Sequence, residues 1–224
     1  MVRFKGFWKR LGNLGKQKFF KKEDKVSLAL YSASYSTLID TMAKFFDNDY
    51  ERAFDVSIDL ITPMSGGYVS KLIYETSVLG IKINTILSKF KDLKDFKYII
   101  DILLYSMYGS STKRMFDKTV YISASESAEK VNTYFIIIKA CPFCHIATVP
   151  AEKLGAHRYG KFIVFTIEQM VQIILDFFKR NFQVVGREVR CFHRGDEVGE
   201  IRLWLYPRDN LTLMEENKYL QKIK

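Results

Sequence analysis

The hydrophobic period of this chain changes near Ser110, and that change limits the fold more than any other feature. Before it, apolar residues recur at three- and four-residue steps, the spacing of one face of an α-helix. Leu28, Tyr31, Tyr35, Leu38, Ile39, Met42, Phe45 and Phe46 form one such stripe, a core-facing helix. A second pattern, Ala53, Val56, Ile58, Leu60 and Ile61, is expected to stop at Thr62-Pro63, because proline cannot continue a helix, with Gly66-Gly67 as the turn. A third helix is expected over Val69, Leu72, Ile73 and Val78 to Gly80, a fourth over Ile83, Ile86, Leu87 and Phe90, and a fifth from Phe96 through Leu104 to Gly109. Asp55, Asp59 and Glu75 then fall on solvated faces.

Beyond Ser110 the segments are short, β-branched and aromatic. Residues 118–123 and 132–139 read as two strands joined by a polar turn. Residues 166–178 return to helical spacing, with Thr166 as N-cap and Glu168 in the first turn. Residues 182–192 and 200–206 alternate as a hairpin whose connection, Arg194-Gly-Asp-Glu-Val-Gly199, carries turn residues. The predicted fold class is therefore α+β: N-terminal helices followed by β-β-α-β-β, a four-stranded antiparallel sheet packed against helices.

With 224 residues, 48% of them hydrophobic, the chain has material for one substantial core. Its net charge of +10 is concentrated in a basic arm, residues 1–25, where Arg3, Lys5, Lys9, Arg10, Lys16, Lys18, Lys21, Lys22 and Lys25 face only Glu23 and Asp24. Such an arm suits an acidic surface: phospholipid headgroups, with Phe4, Phe7, Trp8, Phe19 and Phe20 dipping into the interface, or nucleic-acid phosphates. Equally, it is the composition of a solubilising tail. One α+β domain is expected over residues 26–209, and a C-terminal tail over residues 210–224. The longest apolar runs, residues 134–138 and 171–175, fall short of the roughly 20 residues a membrane-spanning helix requires. The arm interleaves charges with its aromatics and builds no secretory h-region, so a cytoplasmic protein is expected, peripheral to a membrane if the arm meets lipid. An odd cysteine count, 3, agrees with reduced thiols.

Every cysteine and histidine lies between Cys141 and His193. They form the clusters Cys141-Pro-Phe-Cys144-His145 and Glu188-Val-Arg-Cys191-Phe-His193, with His157 between. Thiolates and imidazoles gathered in this way match the donor set of tetrahedral zinc. Cys141 and Cys144 share one loop, and Cys191 at a neighbouring strand end supplies a third donor. His193, two residues further on, shares the face of Cys191. Glu188, three residues back, lies on the opposite face unless the strand bulges. His193 is the favoured fourth ligand, with Glu188 or His145 as substitutes. The Cys-x-x-Cys-His spelling also matches covalent haem attachment, which belongs to exported proteins, and a thioredoxin-like redox pair, which precedes a helix in a βαβ setting. A hydrolase with Cys144 or Cys141 as nucleophile and His157 or His193 as base lacks an assignable orienting Asn or Asp.

Helices first, then β-β-α-β-β, with a late Glu188-x-x-Cys191-x-x-x-Gly195-Asp196, resembles the fold shared by the small TRAPP-complex subunits and the vinyl-4-reductase ligand-binding domain. Leu28 to Phe46 is similar to the long first helix of the TRAPP subunits. The resemblance covers roughly residues 27 to 207. It implies zinc ligands at Glu188 and Cys191; a further ligand after the Gly-Asp turn is missing, since Gly199 stands there, and Cys141, Cys144 or His193 takes its place.

Two functions follow as expectations. The first is a non-enzymatic, zinc-containing module for a small hydrophobic, aromatic or acyl ligand, with Tyr68, Tyr74, Tyr105, Tyr108, Tyr134 and Phe135 lining its pocket. The second is a TRAPP-like scaffold subunit associating with membranes or partner proteins. A homodimer is expected under either. A cysteine- or zinc-dependent hydrolase is the third class, and the zinc form would require an open coordination position.

Overall fold

The computed structural model describes residues 28–75, 77–78, 81–88, 90, 92–145, 147, 149–154, 160–210 and 212–215. The basic arm with Arg3, Lys5, Lys9, Arg10, Lys16, Lys18, Lys21 and Lys22 lies outside the described residues, as do His157 and the end of the tail.

Helix α1 (Leu28–Phe45) buries Tyr35, Ile39 and Ala43. It leaves through Asp47 and Asn48, at φ 55° and 66°, a left-handed conformation that these short polar side chains tolerate. The carboxylate of Asp49 accepts the Arg52 N–H at 3.0 Å and so caps α2 (Tyr50–Tyr74). This helix runs unbroken for 25 residues through Pro63 and Gly66-Gly67, where a stop and a turn were expected. A mid-helix proline costs about 3 kcal/mol. Packing offsets it: Ala53, Phe54, Ser57 and Ile58 are buried, and α2 lies against both α1 and a later helix, Lys161–Phe177.

The helix expected to end at Gly80 is instead the last part of α2, followed by a two-stranded antiparallel ribbon, β1 (Ser77–Val78) and β2 (Ile81–Lys82). Pairing of Ser77 with Lys82 and of Val78 with Ile81 is a cross-strand contact, which helical periodicity alone does not reveal. A short α3 (Ile83–Leu87) leads to α4 (Leu93–Tyr108), whose Phe96, Ile99, Ile100, Leu103 and Leu104 make one buried stripe. A single turn, α5 (Thr112–Met115), enters the sheet.

The sheet contains β3 (Val120–Ile122), β4 (Asn132–Ile138), β5 (Phe182–Arg190) and β6 (Gly199–Pro207), in spatial order β3-β4-β6-β5 with every pair antiparallel. Between β4 and β5 come a single turn, α6 (Pro142–His145), and the long α7 (Lys161–Phe177). Tyr134, Ile136, Ile138, Ile201, Leu203 and Leu205 point to the helical side and join the main core. Val131, Trp204 and Tyr206 occupy the other side, where Leu213 and Met214 pack on them. The α+β class and the four-stranded antiparallel sheet match the sequence reading.

Helix α7 begins earlier than expected. Lys161 to Phe165 extend its apolar face, so Thr166 is buried and its hydroxyl donates to the Phe162 carbonyl at 2.9 Å instead of capping the helix. Its polar residues complete the edge strand β5. Gln172 Oε1 accepts the Val184 N–H and Glu168 Oε2 the Gly186 N–H, each at 2.8 Å, while Gln172 Nε2 donates to the Phe182 carbonyl at 3.1 Å. These side chains bond the edge as a further strand would, and they fix α7 over the sheet.

Candidate metal centre

Three elements meet at the end of β5 away from the hairpin's open end: α6, the start of α7, and the turn after Arg190. In α6, Cys141 precedes the helical turn and Cys144 sits within it, so their sulfurs lie 3.0 Å apart and the Cys144 N–H points at Cys141 Sγ at 3.4 Å. Phe143 between them is fully buried, its ring edge-on to Tyr35 with centroids 5.4 Å apart, which anchors the turn. Cys191 brings its sulfur to 3.9 Å from Cys144. All three cysteines are thiols, Cys141 and Cys191 buried and Cys144 half-buried.

Glu188 joins them because β5 bulges. Glu188 pairs with Ile201 and Arg190 with Glu200, so the register shifts across Val189. Glu188 then faces the helical side with Cys191, although three residues separate them. Cys191 is held by the Gly-Asp turn: Gly195 adopts φ 90°, and Asp196 Oδ2 accepts the Cys191 N–H at 2.6 Å. This geometry explains the Glu-x-x-Cys-x-x-x-Gly-Asp spacing physically. The bulge sets the side, glycine permits the left-handed turn, and the aspartate fastens the cysteine.

Gly160, at the entry to α7, is a participant that sequence reasoning missed. Its N–H donates to Glu188 Oε2 at 2.9 Å, and a Cβ there would sit 2.7 Å from both carboxylate oxygens. The other oxygen, Oε1, is buried without a hydrogen-bond partner among the described residues. A glycine just before a helix was the available signal, but nothing in the sequence connected it to Glu188.

The electrostatics are those of crowded acids. The Cys144 thiol donates to Cys141, which holds the Cys141 thiol below its usual range against the opposing effect of burial. The Cys144 thiol is pushed far up by those same hydrogen bonds to Cys141 and Cys191, and then by burial. Burial, followed by the charges of Cys191 and Cys141, pushes the Glu188 carboxyl well above the carboxylate range, and the Gly160 N–H only partly opposes this. Four such groups cannot ionise together without a cation between them.

As they stand, no three or more His, Cys, Asp or Glu side chains among the described residues are arranged to hold a metal ion. Donors about 2.3 Å from a tetrahedral zinc lie roughly 3.8 Å apart. The Cys144–Cys191 separation of 3.9 Å meets that spacing, whereas Cys141 and Cys144 at 3.0 Å must open by side-chain rotation. The donor chemistry, three sulfurs and a carboxylate with an unpartnered oxygen, fits zinc.

His193, the favoured fourth ligand, is placed differently. The strand ends at Arg190, His193 lies in the 3₁₀ turn Phe192–Arg194, and its Nε2–H donates to the Val149 carbonyl at 2.6 Å. Strand alternation does not extend into that turn, so the reason for preferring His193 over Glu188 no longer applies. Residue 145 ends α6, and the His145 and Tyr68 side chains lie outside the described part.

The five aromatic pocket candidates with described side chains are not gathered around one space. Tyr134 is fully buried on the helical side and donates to the Leu93 carbonyl at 2.7 Å, while Phe135 faces the other way under the Arg202 guanidinium, 5.0 Å from its ring centre. Tyr108 packs on Phe116 at 5.3 Å, Tyr74 is exposed and edge-on to Phe177, and Tyr105 is half-buried. Among the described residues no helix is long and apolar enough to cross a membrane.

No family model and no curated protein matches this chain. Among solved structures it is similar to a trafficking protein particle complex subunit 3 from Naegleria fowleri, determined covalently bound to palmitic acid. The two share 17% sequence identity with a TM-score of 0.46, over 81% of this chain and 96% of that one.

Proposed function

We propose that the chain is a non-enzymatic module whose sheet and helices are clasped by one structural zinc ion, held by Cys141, Cys144, Cys191 and Glu188. The observation that carries this reading is the convergence of three thiols and a buried, half-satisfied carboxylate from two separate chain segments, α6 and the end of β5. Three thiolates and a carboxylate supply four donors, a closed set with no position left for a reacting water, which is the structural rather than the catalytic arrangement. When bound, the cation supplies the positive charge that lets these groups ionise together, and it ties α6 to the end of β5, to which the Gly160 N–H already fastens the α7 entry.

The test is elemental mass spectrometry on the purified chain together with thiol titration before and after chelation. The reading expects about one zinc per chain, with thiols titrating only after chelation. It also expects Cys191→Ser to lose metal and thermal stability together. A metal-free chain of full stability with three freely titrating thiols would overturn it.

A second reading, compatible with the first, is that the module works by association as an assembly subunit. It is favoured by the outer stripe of α2, where Leu60, Gly67, Lys71 and Tyr74 follow at heptad-like steps and Leu60 and Tyr74 are 55% and 53% exposed. A second copy of the chain is the occupant proposed. Light scattering after gel filtration should show a dimer, and Leu60→Glu with Tyr74→Glu should return it to a monomer; a wild-type monomer at all concentrations would overturn this reading.

A further inference from the structure

We propose that Cys141 and Cys144 are a peroxide-oxidisable pair, so that the clasp opens when the two sulfurs join. Coupling to metal release rests on the zinc reading above; the pairing itself does not.

Three cysteines allow three pairings, and the geometry selects one. Cys141 and Cys144 Sγ lie 3.0 Å apart on a single turn, and a side-chain rotation of about 1 Å brings them to the disulfide bond length of about 2.05 Å. Cys191 is further away, at 3.9 Å. It is also the least free to approach, since its N–H is bonded to Asp196 and its carbonyl accepts the Arg194 N–H at 2.9 Å. Phe143, buried against Tyr35, keeps the Cys141–Cys144 turn in place while the sulfurs rotate.

Access lets the chemistry begin at this pair. Cys144 is half-buried, whereas Cys141 and Cys191 are buried, so a small oxidant such as hydrogen peroxide reaches the Cys141–Cys144 pair past Cys144. One sulfur of the pair attacks one peroxide oxygen, the O–O bond breaks, a sulfenic acid forms and water leaves. The other sulfur then attacks the oxidised one, the S–O bond breaks and a second water leaves. In sum two thiols and one hydrogen peroxide give one disulfide and two waters, the sulfurs being oxidised and the peroxide reduced. Two of the four donors are then consumed. Cys191 and Glu188 alone do not complete a tetrahedral site, and the metal is released.

The experiment treats the full chain, as purified with its zinc, with graded hydrogen peroxide. Released zinc is read with a chromogenic indicator, and the linkage is mapped by peptide mass spectrometry. The expected result is one zinc released per disulfide formed, a Cys141–Cys144 link with loss of two hydrogens, and reversal of the link by a dithiol reductant. Cys191→Ser should still form that link, and Cys144→Ser should form none. Zinc retained with all thiols intact overturns the inference while leaving the zinc reading standing, and a link through Cys191 overturns it too. A chain that carries no zinc yet forms the Cys141–Cys144 link overturns the zinc reading and supports the pair.

Discussion

Glu168→Gln should make the protein more stable at pH 8 and leave it nearly unchanged at pH 4.5. Glu168 lies within α7 facing the edge of β5, where one carboxylate oxygen accepts the Gly186 N–H at 2.8 Å. Burial outweighs that hydrogen bond and raises the carboxyl from 4.5 to about 7. Between those two values the native state holds a proton that the unfolded chain has lost. Stability from this group is therefore fully present below about pH 4.5, declines as pH rises to about 7, and is level above. The span of about 2.5 units at 1.36 kcal/mol each amounts to about 3 kcal/mol at pH 8. Glutamine keeps a carbonyl for the Gly186 N–H and does not titrate, so it resembles the protonated glutamate and removes this loss. Urea titrations in chelator and reductant, followed by fluorescence, would compare the two chains at both pH values. A variant equally destabilised at pH 4.5 and pH 8 would refute the argument, since it would mean that the carboxylate acts as an ionised acceptor throughout.

Three further outcomes test the site. Glu188→Gln should weaken zinc binding by at least the roughly 10- to 100-fold typical of losing a supporting group, whereas His193→Ala should leave zinc stoichiometry unchanged; competition with a chelating indicator measures both. Gly195→Ala, at φ 90°, should cost about 1 kcal/mol in thermal unfolding and loosen the Asp196–Cys191 bond, seen as faster thiol labelling of Cys191. Deleting Val189 should remove the bulge yet keep Glu188 and Cys191 on one side, retaining zinc in the same indicator competition.

Sheet, helices and their order were readable because each depends on a local period. The errors came where packing or a connection overrode it. Pro63 and Gly66-Gly67 carry strong local stop signals, yet α2 continues because buried residues on its first turns hold it against α1 and α7. Thr166 has N-cap chemistry, but the apolar run from Phe162 to Phe165 favours burial and moves the start of α7 back to Lys161. Two of the aromatic pocket candidates could have been separated from the sequence alone: Tyr134 and Phe135 are neighbours on a strand and must face opposite sides of the sheet.

The site shows where a period stops being a guide. Alternation along an unbroken strand puts Cys191 with His193 and against Glu188, and the choice of His193 followed correctly from that premise. The premise fails twice within six residues. The bulge across Val189 makes a separation of three behave as two, and the strand ends at Arg190, so His193 lies in a turn to which alternation does not apply. Both departures serve the same end, because Cys191 must leave the ladder to meet α6 while Glu188 must remain in it to reach Gly160. A regular strand could present two donors on one face only at even spacing and only within its own plane. The bulge followed by the Gly-Asp turn lets one strand end deliver a carboxylate toward α7 and a thiol toward α6. That is what a centre assembled from three segments requires, and it is a property of the backbone path that no count of residue types reveals.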